Sequence, residues 1–147
     1  MAPLIVLIFA CAAFWFAGRL GVSIFQRTST ILRTALGLMF FLTASAHWGK
    51  RRRDLIRMVP PIFPRPDLLV TVTGVLEILG AIGLFIPGTA RAAGICLALL
   101  LIALFPANIY AARDKLTIAG QPVPDLPVRT GIQIVFVAAL VSAAFLK

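Results

Sequence analysis

Five apolar runs, each close to the length of a membrane-crossing helix, constrain this chain more than any other feature. About 20 residues of α-helix span a hydrocarbon layer. The runs cover Ala2 to Gly18, Ile31 to Trp48, Leu68 to Ile86, Ala90 to Ala112 and Val128 to Leu146. Between them lie short polar or proline-rich gaps, and no alternating ten-residue pattern of a membrane barrel is present. Helices are therefore the only element that satisfies every backbone group in lipid.

Composition supports the same environment. Hydrophobic residues make up 61% and charged residues 13% of 147 positions, with a mean hydropathy of +1.02. Soluble domains carry about 45–50% apolar and about 25% charged residues. A net charge of +9 would suit nucleic acid, but the cations sit in the gaps between apolar runs, which is the placement of membrane topology. No nucleic-acid partner is expected; the lipid bilayer is. The pattern predicts an all-α membrane protein. A four-helix transmembrane core over residues 31–147 follows an additional N-terminal transmembrane helix and link over residues 1–30, with a basic interfacial loop at 49–67.

The first run has no cationic start and ends "FWFAG", a poor cleavage site, so it reads as a retained span. With the N-terminus inside, the inner gaps hold nine cations (Lys50, Arg51, Arg52, Arg53, Arg57, Arg65, Arg113, Lys115, Arg129). Five (Arg19, Arg27, Arg33, Arg91, Lys147) then lie outside, which favours a cytoplasmic N-terminus and an external C-terminus. Asp67 and Thr89 stand where N-caps of the third and fourth helices would fall, and Pro127 opens the fifth. Arg33 is close enough to its helix end to snorkel. Trp15, Trp48 and Tyr110 read first as interfacial aromatics. In "GKRRRDLIRMVPPIFPRPD", cations followed by Leu55, Ile56 and Met58 predict a short helix in the headgroup layer, and the prolines then enforce a stiff turn. Lys50, Arg51, Arg52 and Arg53 form a candidate surface for anionic lipid or a partner protein.

The third run, "TVTGVLEILGAIGLF", carries Glu77 at its centre. An ionisable group at that depth costs several kcal/mol unless it faces protein or water. Its helical neighbours Thr73, Gly74, Gly80 and Ala81 are small, so another helix can approach closely there and Glu77 points into the bundle. Thr73, one turn away, is placed to hydrogen-bond it. Depth along the helices puts His47, Asn108, Tyr110 and Gln133 in the same half of the membrane as Glu77, the half nearest "KRRR". Pro106 in "LLLIALFPANIY" cannot donate to the carbonyl of Ile102 and predicts a kink that leaves a carbonyl in need of a partner. A kink with converging polar groups reads as a small pocket whose candidate ligand-binding residues are Glu77, His47, Asn108, Gln133, Thr73 and Tyr110. The competing reading is that these polar groups only bind helices together. A protonated Glu77 both donates and accepts, suiting a carbonyl-bearing ligand or Asn108 across the bundle; an ionised one requires protonated His47 or a cationic ligand.

Ala90, Gly94 and Ala98, and Ala138, Ala139, Ser142 and Ala143, form ridges of small residues for helix packing. Cys11 and Cys96 are in separate runs, with no Cys-x-x-Cys unit, and one histidine without cysteine partners makes no zinc site. No phosphate loop or nucleophile triad is visible, so no catalytic residue is assigned and no independent enzymatic activity is predicted.

From about Ile31 onward, three stretches resemble the DoxX-like family of small bacterial integral membrane proteins: "ALGLMFFLTASAHW", "MVPPIFPRPDLLVTVTGVLEILGAIGLFIP" and "LIALFPANIYAA". The resemblance implies a four-helix core with Glu77 in its "GVLE" position and Asn108 and Tyr110 in "PANIY". It implies a multi-pass protein of the bacterial inner membrane, an auxiliary subunit of a redox or detoxification system with quinone as a candidate ligand. A redox partner protein or a homo-oligomer is implied as well. Related assembly factors imply the alternative of a scaffold without small-molecule chemistry. The chain departs from the family by its extra N-terminal span and lacks the paired cysteines of some redox-active members.

Overall fold

A computed structural model describes residues 2–146; Lys147, counted above among the outer cations, lies outside them. The chain is all-α apart from one small hairpin. Its elements are α1 (Ala2–Arg19), a 3-10 turn (Ser23–Gln26), α2 (Thr28–Ser45), α3 (Arg52–Met58), α4 (Pro66–Phe85), α5 (Ala90–Ala103), α6 (Phe105–Arg113), β1 (Thr117–Ile118), β2 (Gln121–Pro122) and α7 (Leu126–Phe145).

Among the described residues, four helical segments are long and apolar enough to cross a membrane: α1, α4, α5 with α6, and α7. The second run of the sequence, α2, differs from them because it is the interior helix. It packs against α1, α4 and α7 and buries Ile31, Ala35, Leu36, Gly37, Met39, Phe40 and Ala44 around much of its circumference. A helix covered on several sides by protein needs less lipid-facing hydrocarbon, so Thr28, Ser29, Thr30 and Arg33 are tolerated in it.

Packing runs from α2 to α4, α4 to α5, α5 to α7 and back from α7 to α2, closing a four-helix ring. Phe40, Leu36, Met39, Leu84, Leu97 and Leu140 are its fully buried large side chains. Helix α1 leans on α2 from outside and contributes Leu7 to the same core. The ridge on α5 packs as its composition predicts, with Gly94 against the Leu140 carbonyl and Ala144 of α7. On α7 only half of the predicted ridge faces inward. Ala139 and Ala143 join the core, whereas Ala138 and Ser142 are exposed beside Ile134 and Val137 along an outer groove.

Several helix ends depart from the sequence reading. Helix α4 begins at Pro66, with Arg65 in the left-handed region at φ 54°, so Asp67 is a first-turn residue and not the N-cap. Thr89 occupies the position before α5 but makes no capping bond; its hydroxyl donates backward to the carbonyls of Gly83 (2.9 Å) and Ile86 (3.3 Å). Pro127 lies in the first turn of α7 as predicted. Arg33 reaches the end of α7, where its Nε donates to the Ala143 carbonyl (2.9 Å) and its terminal amine to that of Leu146 (3.3 Å). A cation there satisfies carbonyls that the helix leaves open.

The β-hairpin has no counterpart in the sequence reading. Ala119 and Gly120 both take positive φ, 52° and 76°, the conformation that a tight two-residue hairpin turn requires. It packs on α3, and together they roof one end of the bundle.

Candidate functional site

Beneath that roof lies a cavity of about 620 Å³. Its walls come from the first residues of α1 (Ala2, Pro3), the end of α2, the start of α4, and the junction of α5 with α6. All of these ends meet at the "KRRR" side, where the depth reasoning placed the polar residues. The walls are chiefly apolar, through Leu42, Leu55, Met58, Leu69, Leu100 and Leu104.

Glu77 and His47 line the cavity and are almost wholly buried, at 5% and 7% exposure. Their geometry fixes much of the chemistry. His47 Nδ1 lies 2.6 Å from the Val70 carbonyl, which can only accept, so Nδ1 carries a hydrogen. That leaves Nε2 facing Glu77 Oε1 at 3.5 Å. One proton between these two atoms gives either an imidazolium beside a carboxylate or an imidazole beside a carboxylic acid. The second carboxyl oxygen, Oε2, accepts from the Thr43 hydroxyl at 2.7 Å.

Small residues make this arrangement possible. A Cβ on Gly74 would stand 2.7 Å from His47 Cβ and Cγ and 2.8 Å from the Trp48 ring. His47 and Trp48 therefore close onto α4 only because position 74 has no side chain. Trp48 is half-exposed, as an interfacial aromatic would be, with its ring 6.0 Å from that of His47.

The other candidates divide. Thr73 lines the cavity but does not bond Glu77; its hydroxyl donates to the carbonyls of Leu69 (2.9 Å) and Val70 (3.1 Å) within its own helix. The partner of Glu77 is Thr43 on α2, because a hydroxyl one turn away on the same helix bonds more readily to the backbone four residues back. Asn108 lines the cavity at its edge, but it is not joined to Glu77. Its amide donates to Gln133 Oε1 at 3.2 Å and its carbonyl oxygen accepts from Arg129. Gln133 in turn donates to the Leu101 carbonyl. Pro106 does break the fourth span, at Leu104 between α5 and α6. The side chain bonded to the backbone at this break reaches Leu101, rather than the Ile102 carbonyl named by the sequence argument. Gln133 and Tyr110 are not among the lining residues; Tyr110 faces Asp114, one turn on.

The basic loop is also divided. Lys50, Arg51 and Arg53 are exposed, with Arg51 at the cavity rim. Arg52 turns inward, bonding the His47 carbonyl (2.8 Å), the Asp67 carbonyl (3.1 Å) and Thr71 Oγ1 (2.9 Å). It clamps α3 to α4. The predicted interfacial helix is α3, and Asp54 on it accepts from the backbone N–H of the hairpin's Ala119 (2.9 Å) and pairs with Arg57. The Ala119 amide, and then Arg57, hold the Asp54 carboxyl below the usual aspartate range. Thr43, Arg129 and the hairpin are the parts of the site that sequence reasoning missed; Arg52 was expected at the docking surface, not as a clamp between α3 and α4. Thr43 carried a signal, as a hydroxyl within the apolar second run; the hairpin's signal was "AGQP".

Cys11 and Cys96 are both free, and no group of three metal-ligating side chains occurs among the described residues.

A family model described as "Domain of unknown function (DUF8561)" matches residues 36–145. The chain belongs to this family. The match runs from within α2 through α4, α5 and α6 to the end of α7, with Thr43, His47, Glu77, Asn108 and Gln133, while α1 and the start of α2 precede it. No curated protein and no solved structure matches the chain.

Proposed function

We propose that this protein binds a small, lipid-soluble molecule in the cavity between the bundle and its α3–hairpin roof, as an auxiliary subunit of a membrane redox or detoxification system. The single observation that carries the reading is the Thr43–Glu77–His47 group, set in the wall of a chiefly apolar cavity of about 620 Å³. Such a volume is in the range of ligand pockets, about 300–1,000 Å³, in which a few polar groups orient an apolar guest. His47 Nε2 and Glu77 Oε1, 3.5 Å apart in the cavity wall, are groups able to donate or accept, so the site suits a carbonyl or hydroxyl head. A quinone meets that description, and the likeness of the "GVLE" and "PANIY" segments to DoxX-like proteins supports the redox assignment. The inner membrane of a bacterium, with the N-terminus and the basic loop cytoplasmic, is the location that goes with it.

Native mass spectrometry of the protein extracted in mild detergent tests the reading. Glu77→Gln keeps the shape and one donor, and it retains the copurifying molecule. Glu77→Leu removes the polar contact and loses that molecule while still inserting. Thermal instability of Glu77→Leu with retention of the ligand in the folded fraction would make Glu77 a helix-joining residue and end the proposal.

The second reading is an assembly or scaffold role. The observation favouring it is the outer groove of about 520 Å³ along α7, where Ala138 and Ser142 leave room for a partner helix. A partner pulled down identically by wild type and Glu77→Gln, with nothing small bound to either, supports this role against the first.

A further inference from the structure

We infer that the cavity is filled from the bilayer, through a lateral opening between α4 and α6, by an uncharged long-chain molecule with an oxygen-bearing head. This rests on the cavity being a binding site, and it adds the route and the shape of the guest.

The opening follows from the break at Leu104. Helix α5 packs closely against α4, with Leu97 seated where Gly80 has no side chain. At Leu104 the chain starts a new helix with Pro106 in its first turn. From there α6 packs on α7, α3 and α5, with at most marginal contact to α4. The Asn108–Gln133–Arg129 cluster holds it on α7. A straight fourth span would continue beside α4; the diverted one leaves a gap whose edges are Leu69 and Thr73 on one side and Ala103, Pro106 and Ala107 on the other.

The character of those edges indicates the medium outside. Leu69 is 36% exposed, and Ala103 and Pro106 are exposed as well. All three belong to segments apolar enough to cross a membrane. Exposed cavity-lining hydrocarbon at that position meets lipid chains at little cost, whereas water there would not be favoured. Toward the aqueous side the cavity is covered by Leu55 and Met58 of α3 and by Ile118 of the hairpin, with Met58 buried. The Asp54–Ala119 bond and the Arg52 clamp tie this cover down. A guest arriving through the gap places its head against Glu77 and His47 and leaves its chain among the lipids. The head is uncharged because a charged group would have to cross apolar walls before reaching its partners.

Trp48 provides the readout, since its ring lies 6.0 Å from His47; Trp15→Phe removes the only other tryptophan. The protein is placed in phosphatidylcholine vesicles, and hexadecanol brominated beside its hydroxyl is added while Trp48 quenching is followed by stopped flow. Saturable quenching is expected. Ala107→Phe, narrowing the gap, slows its saturable phase by about tenfold or more, and Asp54→Asn, loosening the hairpin from α3, leaves the rate within about twofold because the roof is not the way in. Leu69→Phe is the second narrowing variant if Ala107→Phe does not fold. Saturable quenching with any other pattern of rates overturns the lateral route. Quenching that never saturates, in every variant, overturns the binding cavity itself.

Discussion

Replacing Gly74 by alanine sets two effects of opposite sign against each other. In a helix, alanine is favoured over glycine by about 1 kcal/mol. Against this, the new methyl would stand 2.7 Å from His47 Cβ and Cγ, where carbon atoms prefer about 3.5–4.0 Å. His47 would have to retreat by roughly 1 Å. The contacted atoms are next to the backbone, not at the end of a flexible chain. The residue is also held from two sides, by Nδ1 on Val70 (2.6 Å) and by Arg52 on its carbonyl (2.8 Å). Overpacking of this kind costs typically about 1–3 kcal/mol, so the net effect runs from near neutral to a destabilisation of about 2 kcal/mol, with His47 displaced from Glu77. Gly131 is the control, since it lies in α7 and its added Cβ meets nothing within 4 Å. Gly131→Ala should stabilise by up to about 1 kcal/mol. Reversible unfolding in mild detergent, with ligand retention scored alongside, measures both variants. If Gly74→Ala stabilises as Gly131→Ala does, the close seating of His47 and Trp48 on α4 is wrong.

Thr43→Val keeps the side-chain shape but removes the donor to Glu77 Oε2, and should cost about 1–3 kcal/mol in unfolding; in a Glu77→Leu background the same change should cost little, and equal costs in both backgrounds would exclude the bond. Asp54 is held below its ordinary range when folded, so its tie to the hairpin is fully present above the unfolded aspartate pKa and is lost as pH falls through the lowered folded value. Hydrogen exchange at the Ala119 amide, corrected for intrinsic rate, should accelerate on acidification below that range and in Asp54→Asn at neutral pH; protection independent of both would refute the tie. For orientation, Arg53→Cys should resist an impermeant thiol reagent in intact cells while Arg91→Cys reacts, in a background lacking Cys11 and Cys96; external labelling at position 53 reverses the topology.

Run length, composition and the spacing of prolines were enough to establish the long apolar helices, the break in the fourth run and their approximate ends, because in lipid each helix satisfies its own backbone whatever its neighbours do. They also placed Glu77 inward and located His47, Asn108 and Gln133 at one end of the bundle, since rise per residue converts position into depth. Depth, however, carries no information about azimuth. Which side chains face each other around the ring depends on helix rotation and crossing, and these are decided by packing. That is why Glu77 pairs with Thr43 and His47, while Asn108 and Gln133, at comparable depth, bond to each other on α6 and α7. It is also why Arg52 alone among four successive cations turns inward, toward backbone groups that the fold brings within its reach.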